Sequence, residues 1–141
     1  MADTDIRHAT CVAWGDRAVL IIGASGRGKS ALGLQLMALG CVLVADDRVI
    51  LRAAGAHLLA QCPPGIAGLI EARGAGILNA DTRPEAKIAL VVDLDQTEDQ
   101  RLPDRSMTRI GSYDFPLVKR FDGPQFPAII LQILKSGWSD R

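Results

Sequence analysis

The sequence predicts an α/β fold with a mixed central sheet, flanking helices and additional antiparallel strands. Three observations lead there. Fourteen glycines against 4% aromatic residues describe a chain rich in turns and backbone-dependent loops. Short apolar runs of β type recur along its length, bounded by glycine, proline or aspartate. Helical spacing is confined to a few short stretches, too few for a clean βαβαβ alternation.

The elements follow in order. Residues 9–14 and 17–22 read as a hairpin around Gly15-Asp16, and residues 23–28 as a glycine-rich loop. Leu32, Leu36 and Leu39 then recur at helical spacing over residues 29–39, and Gly40 suits the position just past a helix end. The continuous apolar run 41–45 predicts a strand buried on both faces, with Asp46-Asp47 at its C-terminal end. Residues 49–52 and 57–60 form a second hairpin around Ala54-Gly55. After the break at Pro63-Pro64-Gly65, residues 66–72 read as one or two helical turns and residues 73–76 as a flexible segment. A strand follows over 88–94, a polar surface loop over 96–105, and weaker strands over 108–110 and 115–118. Gly123 and two prolines make 121–127 a loop, and 128–135 reads as a terminal helix.

At 141 residues the chain suits a single domain over residues 1–141. Sixteen basic residues balance sixteen acidic ones, so there is no overall basic field for nucleic acid. No apolar run approaches the ~18 residues of a membrane span, and the N-terminus lacks a signal-peptide core. Cys11, Cys41 and Cys62 are odd in number, show no CxxC spacing and sit among apolar neighbours. Reduced thiols in a cytoplasmic protein are the expectation.

The strongest motif is Gly23-Ala24-Ser25-Gly26-Arg27-Gly28-Lys29-Ser30, a complete GxxxxGK[ST] sequence between a strand and a helix. Its glycines let successive backbone N–H groups turn inward around phosphate oxygens, and the helix N-terminus adds partial positive charge. Lys29 can reach the β- and γ-phosphates of a nucleotide, and the Ser30 hydroxyl can ligate Mg²⁺. Asp46 and Asp47 fall on the same sheet edge. One of them can orient the metal and the other accept a hydroxyl proton, and spacing does not separate the two roles. Glu71 opens Glu71-Ala72-Arg73-Gly74-Ala75-Gly76, available to the metal or to a surface ion pair. His8 precedes the first hairpin, Arg101 lies in the polar loop where it can meet phosphate or solvent, and His57 has no assigned role.

Together these residues resemble the catalytic domain of the HPr serine kinase/phosphorylase family, in its short alphaproteobacterial form. The resemblance covers about residues 8 to 135. It rests on the phosphate loop, on Val44-Ala45-Asp46-Asp47, and on Glu71-Ala72-Arg73-Gly74-Ala75-Gly76-Ile77. It implies a P-loop kinase domain that uses ATP and Mg²⁺ to phosphorylate a serine of the phosphocarrier HPr. In that scheme residues 23–30 bind the nucleotide, and Ser30, Asp46 and Glu71 attend the metal. Asp47 becomes the proton acceptor. His8 falls at the family's active histidine, and Arg101, ahead of Leu102-Pro103, at its active arginine.

The chain departs from the family at Lys119-Arg120-Phe121-Asp122-Gly123-Pro124-Gln125, where an Arg-Pro-Gly-Arg-Asn motif serves the reverse reaction. Against members that carry an additional N-terminal domain and a long terminal helix, the expectation for this sequence is the kinase domain alone. The expectation is weak or absent phosphorylase activity; the family's hexamer is not carried over, and whether the chain forms a homo-oligomer is left open. Two rivals remain: an ATP-sensing module without phosphoryl transfer, and a small-molecule kinase or ATPase on the same loop.

Overall fold

The computed structural model describes residues 4–140. Residues 1–3 and 141, which include the start of the N-terminal segment and both ends of the domain expected over 1–141, lie outside the described residues. Eleven strands and two helices are present among those described. In chain order the first are β1 (Thr4–His8), β2 (Thr10–Trp14), β3 (Arg17–Ile22), α1 (Lys29–Ala38), β4 (Val42–Ala45), β5 (Arg48–Ala54) and β6 (His57–Gln61). Then come β7 (Leu69–Ala72), β8 (Gly76–Asn79), β9 (Glu85–Thr97), β10 (Ser106–Ile110), β11 (Tyr113–Arg120) and α2 (Phe126–Ser136). The mixed α/β class expected from sequence is what the chain adopts.

Nine strands form one curled mixed sheet in the order β1-β5-β6-β9-β3-β2-β4, with β11 also paired to β9 and β10 to β11. The long strand β9 makes the branch. Its first residues pair antiparallel with β6, and Val91 to Asp93 pair parallel with β11. On its other side it pairs parallel with β3. Both helices pack on one face, where Leu32, Leu36, Phe126, Ile130 and Leu134 meet Val19, Ile21 and Val92. The other face closes on itself, burying Leu20, Val44 and Val91 against Val49, Leu58, Ile110 and Phe115. Strand β4 serves both faces, as its unbroken apolar run predicts: Leu43 belongs to the helix side and Val44 to the other.

Helix α1 ends in a Schellman arrangement. Gly40 at φ 114° donates to Met37 O at 3.0 Å, and Cys41 N donates to Leu36 O at 3.0 Å. A side chain at Gly40 would also sit 2.9 Å from the Trp14 ring, so the position is closed to other residues twice over. The three thiols are free, Cys11 and Cys41 being buried and Cys62 half-buried. Burial pushes the Cys11 thiol well above its ordinary value, Cys41 to about 11, and Cys62 upward.

Several elements differ from the sequence expectation. Residues 66–72 are not helical turns: Leu69–Ala72 is a strand in which Ile70 and Ala72 are buried and Leu69 and Glu71 exposed. The apolar residues there are too few for helical spacing to outweigh period-two alternation. The expected flexible segment 73–76 is a tight turn over residues 73–75 and the first residue of β8, closed by Ala75 N to Ala72 O at 2.9 Å. The hairpin is a separate two-stranded sheet. Strand β1 escapes notice because Ile6 is its one apolar residue and is itself exposed. Strand β9 runs to Thr97, since its polar end still pairs with β11 at Arg120, and α2 starts at Phe126 with Pro127 in its first turn.

Candidate functional site

The parallel strands β3, β9 and β11 point the same way, and β4, antiparallel to β2, joins them. Their C-terminal ends share one edge, the edge at which α/β ligands bind. The loop 23–30 leaves β3 there. Gly26 and Gly28 take φ 83° and 96°, conformations that L side chains rarely adopt, which explains the glycines of the motif. Gly28 caps α1 without any side-chain hydrogen bond, and no acidic residue stands in the first turn. The leading N–H groups of the helix are thus left for an outside anion. The Lys29 ammonium donates to Gly23 O at 2.7 Å and Ala24 O at 3.3 Å, folded over the loop it would leave for a phosphate.

Beside the loop lies a carboxylate that is nearly inaccessible. Asp46 and Thr10 are the buried polar residues among those described, and they are bonded to each other. Asp46 Oδ1 accepts the Thr10 and Ser30 hydroxyls at 2.7 Å each, and Oδ2 accepts Glu71 N at 3.0 Å. Strand pairing puts Thr10 there, opposite Ile21, with Cys11 opposite Ala45. Gly33 makes room: a Cβ on it would lie 2.7 Å from the Thr10 methyl carbon.

The neighbouring acid behaves differently. Asp47 is the one non-glycine residue with positive φ among those described, at 72°, and Arg48 N reaches back to Asp46 O at 2.9 Å. This is a γ-turn, a strained conformation that points successive side chains apart. Asp47's side chain is 74% exposed and meets Arg48 Nε at 3.8 Å. Ala9 N donates to Asp47 O at 3.2 Å, and His8 pairs across the ladder with Arg48, so His8 stands at the same rim.

The structure therefore brings together residues 23–30, Asp46, Asp47 and His8, with Glu71 entering through its backbone and its side chain exposed. Among the described residues no three His, Cys, Asp or Glu side chains converge as a metal cluster. The hard oxygens of Ser30 and Asp46 nonetheless suit Mg²⁺, which takes few protein ligands and completes its shell with phosphate and water. Arg101 stands apart. It lines a separate cavity of about 630 Å³ with Lys119 and Trp138 and makes no hydrogen bond or ion pair with the loop.

Sequence reasoning missed Thr10, Gly33 and Asp95. Asp95 accepts Ala24 N at 3.0 and 3.1 Å and faces Arg27 Nε at 3.4 Å, pinning the start of the loop to β9. Its signal was present, since Asp95 follows the apolar run 88–94 as Asp46 follows the run 41–45, although β9 continues past it to Thr97.

Residues 1–119 match the family model described as the HPr Serine kinase C-terminal domain. The chain is 44% identical over 96 residues to the HPr kinase/phosphorylase of Cupriavidus necator, across 60% of this chain and 30% of that protein. It is 42% identical over 101 residues to the one from Burkholderia cenocepacia, across 64% and 31%. The chain thus spans under a third of these relatives' length. A solved structure of the Hpr(Ser) kinase/phosphatase from Coxiella burnetii has the same fold, with a TM-score of 0.77 at 22% identity over 93% of this chain and 88% of that one.

Proposed function

The chain belongs to the HPr serine kinase C-terminal domain family, and from that membership we propose that residues 1–141 form an ATP- and Mg²⁺-dependent kinase domain acting on a serine of HPr. One observation carries the reading: a buried acid bonded to the loop serine stands next to an exposed acid held outward by a strained turn. Phosphoryl transfer needs a positioned nucleotide, charge neutralisation and one proton acceptor, and these residues divide that work.

Residues 23–30 and the N-terminus of α1 hold the nucleotide phosphates, with Lys29 on the γ-phosphate. Ser30 and Asp46 would hold Mg²⁺, which when bound neutralises charge on the β- and γ-oxygens. Glu71 stands at the margin of that site. Asp47 accepts the proton of the incoming serine hydroxyl as the seryl oxygen bonds to phosphorus and the bond to the ADP oxygen breaks. His8 lies beside it. Arg101 lines the neighbouring cavity, and its assignment to the phosphates rests on its place in the family pattern.

Phosphorylase activity is weak or absent in this reading. Dephosphorylation by inorganic phosphate needs a second anion site, and Arg120 is engaged by Asp122 at 2.8 Å. The test is incubation with ATP, Mg²⁺ and purified HPr, then mapping of any phosphoserine. Labelling of HPr supports the kinase. Binding without transfer means a sensor, and phosphate release without labelling means an ATPase.

A further inference from the structure

We propose that the slot between α1 and the β11–α2 connection holds the nucleoside base of the nucleotide. This rests on residues 23–30 being the phosphate site and adds where the rest of the ligand goes. A ligand anchored at the end of β3 can extend toward β2 and β4 or toward β9 and β11. The first side is filled by the buried Thr10–Asp46–Ser30 cluster and the β7–β8 hairpin docked on it through Glu71 N. On the second side a cavity of about 230 Å³ opens directly from Gly28 and Ala31. That is smaller than the ~300–1,000 Å³ of sites that enclose a whole drug-sized ligand, as suits a site for one end of a molecule.

The walls define the chemistry. Gly28, Ala31 and Gln35 lie along one face of α1, and Phe121 and Pro124 form the opposite side. Phe121's ring lies 2.7 Å from where a Cβ on Gly123 would stand, so the glycine leaves room for the ring over its own backbone, on the wall of the slot. An aromatic ring beside a phosphate site, with Arg27 and Arg120 on the same walls, suits an aromatic heterocycle, since every base has a π-face to stack. Asp122 contributes an acceptor on this side, held by Arg120 Nε at 2.8 Å.

The experiment compares affinities of the full chain for MgATP and for Mg²⁺-tripolyphosphate, which has phosphates and no base, by isothermal titration calorimetry. Wild type is expected to bind ATP at least about tenfold tighter, the scale of one base–aromatic stack. Phe121→Ala should bring ATP down toward tripolyphosphate and leave tripolyphosphate unchanged. Gln35→Trp, at an exposed helix position one turn further from the loop, should do the same by filling the slot, and it keeps the test open if Phe121→Ala fails to fold. Equal affinity of wild type for both ligands, or an unaltered ATP preference in Gln35→Trp, overturns the proposal. Failure of wild type to bind tripolyphosphate at all is a different result: it removes the phosphate site and the slot's role with it.

Discussion

The hydroxyls of Thr10 and Ser30 donate to one and the same oxygen, Asp46 Oδ1, each at 2.7 Å. One hydroxyl comes from the body of the sheet and the other from the loop. The shared acceptor therefore fixes the loop's serine relative to a residue that cannot move without disturbing the core. With Glu71 N on Oδ2, both carboxylate oxygens are engaged, and no buried side-chain polar atom among the described residues is left without a partner.

Thr10→Val keeps the shape and deletes the hydroxyl, so the carboxylate loses one donor while Ser30 stays. Stability should fall by about 1 kcal/mol, the usual net worth of a hydrogen bond. Mg²⁺-dependent nucleotide affinity should fall several-fold, and binding measured in EDTA should not change. Thr10→Ser should restore the affinity. Equal losses with and without Mg²⁺ would show that Thr10 acts on the fold alone.

Asp46→Asn should weaken Mg²⁺-dependent binding, because an amide either faces Glu71 N with a donor or forces both hydroxyls to turn around. Asp47→Asn should leave ATP binding unchanged and lower transfer by roughly 10²–10⁴-fold, as for a lost general base. Asparagine tolerates positive φ, so the γ-turn survives. Swapped phenotypes would reverse the two assignments.

Gly33→Ala tests the packing beneath this cluster. Alanine is the better helix former by about 1 kcal/mol in an exposed position, yet here its methyl must displace Thr10. Thermal denaturation should show destabilisation, with weaker Mg²⁺-dependent binding alongside it. A stabilised variant would mean that α1 can lift off β2 freely.

Lys29→Ala should abolish transfer with little change in melting temperature, since Nζ bonds only carbonyls of its own loop. Retained transfer near the wild-type rate would dismiss residues 23–30 as the phosphate site.

The buried thiols set a pH dependence. Burial favours the protonated form and raises Cys41 from about 9 to about 11, with Cys11 shifted the same way. A raised folded-state value means the contribution is complete below about pH 9 and is lost as pH climbs through 11. Denaturation curves should be flat in this respect at pH 7–8 and decline above 9, with a smaller decline in Cys41→Ala. At pH 8 an alkylating reagent should reach Cys62 first and Cys11 last.

Much of this site is legible in the sequence. The glycine loop, the paired acids and the helix stop at Gly40 are local signals, because each depends on backbone geometry within a few residues. Thr10 was hidden: a hydroxyl at a strand start looks solvent-facing until β4 delivers Asp46 against it. Asp46 and Asp47 were inseparable for the same reason, since which one turns inward depends on the γ-turn and on what waits beneath. The β7 strand is not legible because four residues with three apolar positions, Leu69, Ile70 and Ala72, carry too little period. Arg101 drew notice through its residue type, and its distance from the loop follows from the path of β9 to β11, which no local signal encodes.

Amide exchange should divide the molecule between its two sheets. Val91 and Val92 lie between β3 and β11, and successive amides of a strand point to opposite neighbours, so exchange of the pair requires both ladders to part. The β7–β8 hairpin pairs with itself and is held through Ile70 in the helix-side core, so its opening breaks no ladder of the larger sheet. Each excursion takes the Glu71 amide with it and leaves Asp46 Oδ2 briefly without its donor. The acid side of the loop is thus renewed on the timescale of hairpin opening. The Phe121 side, anchored at the end of β11, keeps the slow clock of the central strands.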